Sequence, residues 1–189
     1  MNSRTIPTLI VLALAWPSVA QQPASATPQP AQPKTKIEAF AGQTGAVIIA
    51  GYSKVGVIRG RYGTVEVQAK EFTNATSGKK EKGITLEVKE AGRLERESRS
   101  FIDYDEITSL IAGIDYVSKI DRTATKLDAF EAGYRTKGEL EIATYSSDTG
   151  IDAAIRSGRI AGTTAFLTLD QLQSLRALVL EAKAKLDAL

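Results

Sequence analysis

The chain has 189 residues, with 24 Lys and Arg against 22 Asp and Glu and neither His nor Cys. That length fits one domain, and 43% apolar with 24% charged residues allows most of it to bury a core. The missing residue types exclude a Ser-His-Asp triad, a Cys nucleophile, the usual zinc and haem sites and any disulfide. No cofactor, metal site or catalytic residue is expected.

At the N-terminus Arg4 precedes an apolar run over residues 6–16, and Ser18-Val19-Ala20 follows as a small-x-small site. This order predicts a secretory signal over residues 1–20, cut after Ala20; the alternatives are a cut near Gln22 or an uncleaved anchor. The run of about eleven residues, broken by Pro7 and Pro17, falls short of the roughly 20 a bilayer core requires. No stable membrane span is expected once it is removed. Cleavage takes with it Met1 and Trp16, the only Met and Trp, and leaves 23 basic residues against 22 acidic, a net charge of +1. Such a balance lacks the basic stripe that neutralises phosphates, so nucleic acid is not an expected partner. An exported chain without Cys must be held by its core alone.

Residues 21–33 read QQPASATPQPAQP, with four Pro and no charge. Too little apolar surface is present there to offset ordering entropy, which predicts a disordered, extended linker. No Pro occurs after Pro33, so a single folded domain is expected over residues 34–189.

Within that domain two segments align at an offset of 65: Phe101 to Leu110 with Phe166 to Leu175, keeping Phe, Asp, Ser and Leu in register. Upstream, Gly63-Thr64-Val65-Glu66-Val67 resembles Gly138-Glu139-Leu140-Glu141-Ile142, and Gly83-Ile84 followed by Gly92-Arg93 resembles Gly150-Ile151 followed by Gly158-Arg159. Period-2 alternation in Val65, Val67, Ala69 and in Ile84, Leu86, Val88 gives strands with one apolar face. Segments 55–59 and 130–135 supply the preceding strand of each set. The sequence therefore reads as two tandem ββββα repeats, at about 46–120 and 126–188.

Each repeat ends in a predicted helix. Asp103 with Glu106, and Thr168 with Gln171, have the spacing of an N-cap and its reciprocal partner three residues on. Ile107, Leu110, Ile111, Ile114 and Val117 form one apolar stripe, and Leu172, Leu175, Val179, Ala182 and Leu186 a second. Gly113 inside the first helix costs about 1 kcal/mol against Ala and points to close packing on a strand. The expected class is α+β: curved antiparallel sheets or a barrel, covered by two amphipathic helices. A pleckstrin-homology-like barrel of seven strands and a terminal helix is the alternative, against which the internal helix at 104–119 counts.

Candidate chemistry is sparse. The acidic run Asp103-Tyr104-Asp105-Glu106 lacks the alternating oxygen ligands and the Gly of a calcium loop; helix capping accounts for it. Paired strand carboxylates, Glu66 with Glu87 or Glu139 with Glu141, are the nominees for a glycosidase, although alternation places them where solvated charges belong. Ser77-Gly78-Lys79-Lys80 has the Ser-x-x-Lys spacing of Lys-activated nucleophiles but lies in a Gly, Ser and Lys-rich turn. Asn74-Ala75-Thr76 is formally a glycosylation sequon. Arg93, Glu95, Glu97 and Arg99 alternate with Leu94, Arg96, Ser98 and Ser100, the pattern of a charged edge strand or a polar groove. Tyr52, Tyr62, Tyr134 and Tyr145 on strands are the aromatic candidates for a binding surface.

The expected function is an exported, periplasmic or extracellular, non-enzymatic binding or interaction module in a bacterial setting, its partner a protein or small molecule and its oligomeric state open. A carrier of small apolar ligands or lipid, held between sheet and helices, is the alternative; a carboxylate-dependent carbohydrate-active enzyme is the second. The signal cleavage predicts that the exported chain shows no tryptophan fluorescence and a mixed circular dichroism spectrum with more strand than helix. A tryptophan emission band from the exported protein refutes the cleavage, and a predominantly helical spectrum refutes the strand assignment.

Overall fold

The computed structural model describes residues 34–92, 95–148, 150–158 and 162–189. The expected signal and linker, together with Arg93, Leu94 and Arg159, lie outside these residues. A short helix α1 (Lys36–Ala41) leads into β1 (Ile48–Gly60), β2 (Gly63–Asn74), β3 (Lys80–Glu90), β4 (Arg96–Asp103), a 3-10 turn over Tyr104–Glu106 and α2 (Ile107–Val117). A second 3-10 turn (Arg122–Ala124) precedes β5 (Glu131–Arg135), β6 (Leu140–Ser147), β7 (Gly150–Ser157), β8 (Thr163–Leu167) and α3 (Leu169–Asp187). The class is α+β, with two antiparallel four-stranded sheets in the orders β1-β2-β3-β4 and β5-β6-β7-β8.

The sheets do not close. Among the described residues one isolated bridge links them, between Arg61 in the β1–β2 turn and Phe166 on β8, through backbone hydrogen bonds of 2.7 and 3.2 Å. Of the two arrangements expected from sequence, antiparallel sheets or a barrel, the structure has two open antiparallel sheets. The pleckstrin-homology-like alternative does not fit either, since eight strands are divided evenly by α2. Closure is unnecessary because each apolar face is already covered by the other sheet and the helices.

Strand alternation decides what fills that shared interior. Val65, Val67, Ile84, Leu86 and Val88 from the first sheet form one buried cluster with Leu140, Ile142, Ala153 and Ile155 from the second. Into the same cluster α2 sends Ile107, Leu110, Ile114 and Val117, and α3 sends Leu172, Leu175, Val179, Ala182 and Leu186. Gly113 is the close approach on α2: the ring of Tyr134 on β5 stands where a Cβ would project. Buried polar groups at the seams are satisfied. Ser100 on β4 and Ser157 on β7 share a 2.8 Å hydrogen bond. Thr144 donates to the carbonyl of Val117 at 2.8 Å, and Thr163 to that of Val88 at 3.0 Å.

The two predicted caps diverge. Thr168 accepts from the Gln171 amide at 3.2 Å while the Gln171 side chain accepts from the Thr168 amide at 3.0 Å, the reciprocal pair of a capping box. The Gln171 amide group also donates to the carbonyl of Arg59 at 2.8 Å. Asp103 and Glu106 make no such pair at α2. The Asp103 carboxylate instead accepts the amides of Lys36 at 3.1 Å and Ile37 at 3.0 Å, so it holds the start of α1. Glu106 accepts from the amide of Lys137, in the β5–β6 turn, at 2.8 Å. The first amides of a helix are orphan donors, and those of α1 arrive beside Asp103 only through folding. Ile37, fully buried, lies against Gly83, which seats α1 on β3.

Replacing Asp103 with Ala removes two charge-assisted bonds and is expected to cost about 2 kcal/mol. Hydrogen exchange should rise in α1 and stay unchanged in α2; loss of protection at the start of α2 would show that Asp103 caps the helix that follows it.

Candidate functional site

With the inner faces committed to the core, chemistry is left to the outer faces, and the two sheets treat theirs differently. On the first sheet the register places Glu66 directly across from Glu87, and Glu87 across from Arg99. Two carboxylates on neighbouring strands would repel; each is neutralised by its own cations. Lys54 lies 2.7 Å from Glu66, which also accepts from the side-chain amide of Gln68 at 2.6 Å. Arg99 pairs with Glu87, and Lys89 bridges Glu87 at 3.0 Å and Glu97 at 3.1 Å. The Lys54 hydrogen bond, then that of Gln68, holds the Glu66 carboxyl below its ordinary range. Burial pushes Glu87 upward, but the bonds from Arg99 and Lys89 together outweigh it and its carboxyl also lies low. Burial, joined by the Arg99 charge, pushes the Lys70 ammonium down, and its Nζ stands 5.7 Å from the centre of the Tyr52 ring.

The carboxylates nominated for glycosidase chemistry are thus brought together at Glu66 and Glu87 but in the wrong electrostatic state. A glycosidase keeps one carboxyl protonated by raising its pKa, whereas both of these are pulled down. Glu139 sits in the β5–β6 turn, where its carboxylate meets Lys34, and Glu141 pairs with Arg135 at 2.9 Å. Of the acidic run, Asp103 serves α1, Asp105 pairs with Lys36 at 2.6 Å and Glu106 serves the β5–β6 turn, so its carboxylates point to separate partners. In the β2–β3 turn the Asn74 side chain accepts the amides of Thr76 and Ser77 at 3.0 Å each. The Lys80 ammonium turns away to Glu71 at 2.9 Å, so Ser77 has no Lys80 base beside it. The predicted charged edge is β4, where Arg96 pairs with Glu90 at 2.7 Å.

The second sheet presents a trough. Gly133, Ala143, Ala154 and Phe166 follow one another across β5, β6, β7 and β8 in a single cross-strand row. Three minimal side chains therefore make a floor about 10 Å long, set by strand spacing, and Phe166, 38% exposed, closes its end. On one side runs the row Arg135, Glu141, Arg156 and Thr164; on the other Glu131, Tyr145 and Asp152. Ala143, Ala154, Phe166, Glu131, Tyr145 and Arg156 are among the residues that line a hollow of about 270 Å³ here. Arg156 pairs with Glu141 across 3.8 Å, a charge contact longer than a hydrogen bond. Burial, with the Asp152 carboxylate beside it, pushes the Tyr145 hydroxyl up, keeping it a neutral donor. The flanking rows stand roughly 13 Å apart along the backbone, two residues to either side of the floor.

Tyr145 is the one nominated aromatic that reaches this site, Tyr134 being spent on α2 and Tyr52 and Tyr62 standing exposed elsewhere. Gly133, Ala143 and Ala154 escaped notice because small residues in strands carry no chemical signal until the register aligns them. A larger hollow, about 530 Å³, lies at the β3–β4 turn and is lined by Lys89, Glu90, Arg96 and Glu97. Lys89 pairs there with Glu97 and Arg96 with Glu90, while Glu95 also lines it. No family model matches the chain, and comparison with curated proteins returns no match. No helix among the described residues is long and apolar enough to cross a membrane.

Because the Glu87 carboxyl is lowered in the folded chain, its pairing with Arg99 stabilises the protein above the ordinary glutamate pKa and is lost as pH falls through the folded value. Glu87→Gln should cost on the order of 1 kcal/mol at pH 7, since Arg99 stays partly solvated. The variant's stability should then fall less steeply than that of the parent below about pH 4. Parallel acid limbs in chemical denaturation would exclude this pairing.

Proposed function

We propose that the chain is an exported, non-enzymatic binding module built from a duplicated ββββα unit, and that the trough across β5 to β8 holds its ligand. The observation that carries the reading is the single row Gly133, Ala143, Ala154 and Phe166, an apolar floor between two polar walls. Ligand sites combine such apolar contact with a few directed polar groups. Here the guanidinium of Arg156, the carboxylates of Glu131 and Asp152 and the hydroxyl of Tyr145 surround the floor. The ligand that fits is small or narrow, with one apolar flat side and a polar rim.

Duplication is supported by the residue matches at offset 65 and by the recurrence of four strands followed by a helix. Export is supported by the apolar run at residues 6–16 and its small-x-small close, and the Pro-rich segment 21–33 then acts as a tether. The alternative of an apolar carrier finds less support, because Ile84, Leu86, Leu140, Ile142, Ile155 and Leu175 already fill the space between sheets and helices. Lowered carboxyls at Glu66 and Glu87 speak against an acid catalyst on the first sheet.

Native mass spectrometry of the protein isolated from its own host tests the reading. A bound small molecule or peptide is expected on the parent and should be lost in Ala143→Trp, which fills the floor, while Ser77→Ala in the distant β2–β3 turn retains it. A ligand that persists in Ala143→Trp, or a parent that carries none, refutes the trough.

A further inference from the structure

The first sheet has an edge whose first half lacks ordinary protection. β1 pairs with β2 on one side, and among the described residues nothing pairs with its other side. An open edge is a template for another strand, and proteins guard such edges with charge, Pro or a bulge. The opposite edge of the sheet, β4, has Arg96, Glu97 and Arg99. Residues 47–53, by contrast, read VIIAGYS without a charge or Pro. The first charge on β1 is Lys54, where the register with β2 also shifts. Residues 49–54 are all exposed; Ile49 is 57% and Tyr52 70% accessible. Beside them lies a groove of about 250 Å³ whose lining includes Gly51, Ala69, Leu186 and Leu189, with Glu71 and Lys185 among its charged residues.

We infer that β1 pairs antiparallel with β1 of a second copy of this chain, centred on Ala50 opposite Ala50. A two-fold axis perpendicular to the sheet keeps opposed side chains on one face, so the paired residue numbers must sum to an even value. With the axis at Ala50, Ile49 of each copy lies opposite Gly51 of the other, and a protruding side chain meets a missing one at the mouth of the groove. Ile48 lies opposite Tyr52, a β-branched and aromatic cross-strand pair of the favoured kind. Lys54 falls opposite Ala46, so like charges do not meet. Moving the axis to Gly51 sets glycine against glycine, leaves the groove empty and places Lys54 against Ile48. The interface is isologous, each contact made twice, and it joins the first sheet of one copy to the first sheet of the other as one sheet of eight strands. It is independent of the trough.

Sedimentation velocity of the processed chain at micromolar concentration should show a dimer. Gly51→Val tests the groove without threatening the fold, since a Cβ there meets nothing nearer than the Glu71 carbonyl at 3.7 Å. With its melting temperature retained, this variant should dimerise roughly tenfold more weakly or worse. The chain has no Cys, so register can be read by cross-linking. Opposed Cα atoms stand about 4.5 to 5.5 Å apart in an antiparallel pair, within the range a disulfide spans. Ala50→Cys should oxidise to a covalent dimer, whereas Ser53→Cys, its copies separated by about 20 Å along the strands, should not. A monomeric parent overturns the inference. So does a dimer that Gly51→Val leaves intact, or one that cross-links in the Ser53→Cys chain in place of the Ala50→Cys chain.

Discussion

Everything in this fold follows from the need of two half-apolar sheets to share one interior. With neither Cys nor His, the chain has no disulfide and no imidazole metal ligand to hold its layers together, so stability rests on burial. Ile84 and Leu86 from one sheet, Ile142 and Ile155 from the other, and the stripes of α2 and α3 all enter a single cluster. Once the inner faces are spent in this way, the outer faces and the strand edges are the surfaces left for recognition. The seams are set by the same demand: the Arg61–Phe166 bridge and the Ser100–Ser157 pair lie where one sheet meets the other, and both satisfy polar groups that close packing would otherwise strand.

The two outer faces then take opposite courses. The first is covered by interlocked ion pairs around Glu66 and Glu87. Charges satisfied by their neighbours have little to offer a ligand. The second is hollowed by Gly133, Ala143 and Ala154, whose short side chains leave the taller rows standing on either side. The same element order thus supports a sealed surface on one sheet and an open one on the other, through a handful of side-chain volumes.

Individual residues show where sequence reading succeeds and where it stops. The α3 cap and stripe were legible because Thr168, Gln171 and the residues Leu172 to Leu186 interact within one helix, at separations fixed by helical geometry. Asp103 has the same local spacing with Glu106, yet its carboxylate goes to amides 67 and 66 residues away. Helix α1 carries only six residues, too short to announce itself, and so the competitor for Asp103 was invisible. Of the trough, Tyr145 was legible as an aromatic on a strand; the floor was not, because its glycine and alanines acquire meaning only from the pairing of β5, β6 and β7.

The sequence alone determined the helices α2 and α3, most of the strand segments, the face each turns inward and the residue types from which no His or Cys chemistry can be made, since all of these depend on composition and on periodicities of two and of 3.6 residues. Tertiary structure decided which partner Asp103 chose, that the sheets stay open, that Glu66 and Glu87 face each other with their charges already matched, and that three small residues line up into a floor. Those outcomes depend on strand register and on contacts between distant segments, whose energies no local pattern encodes.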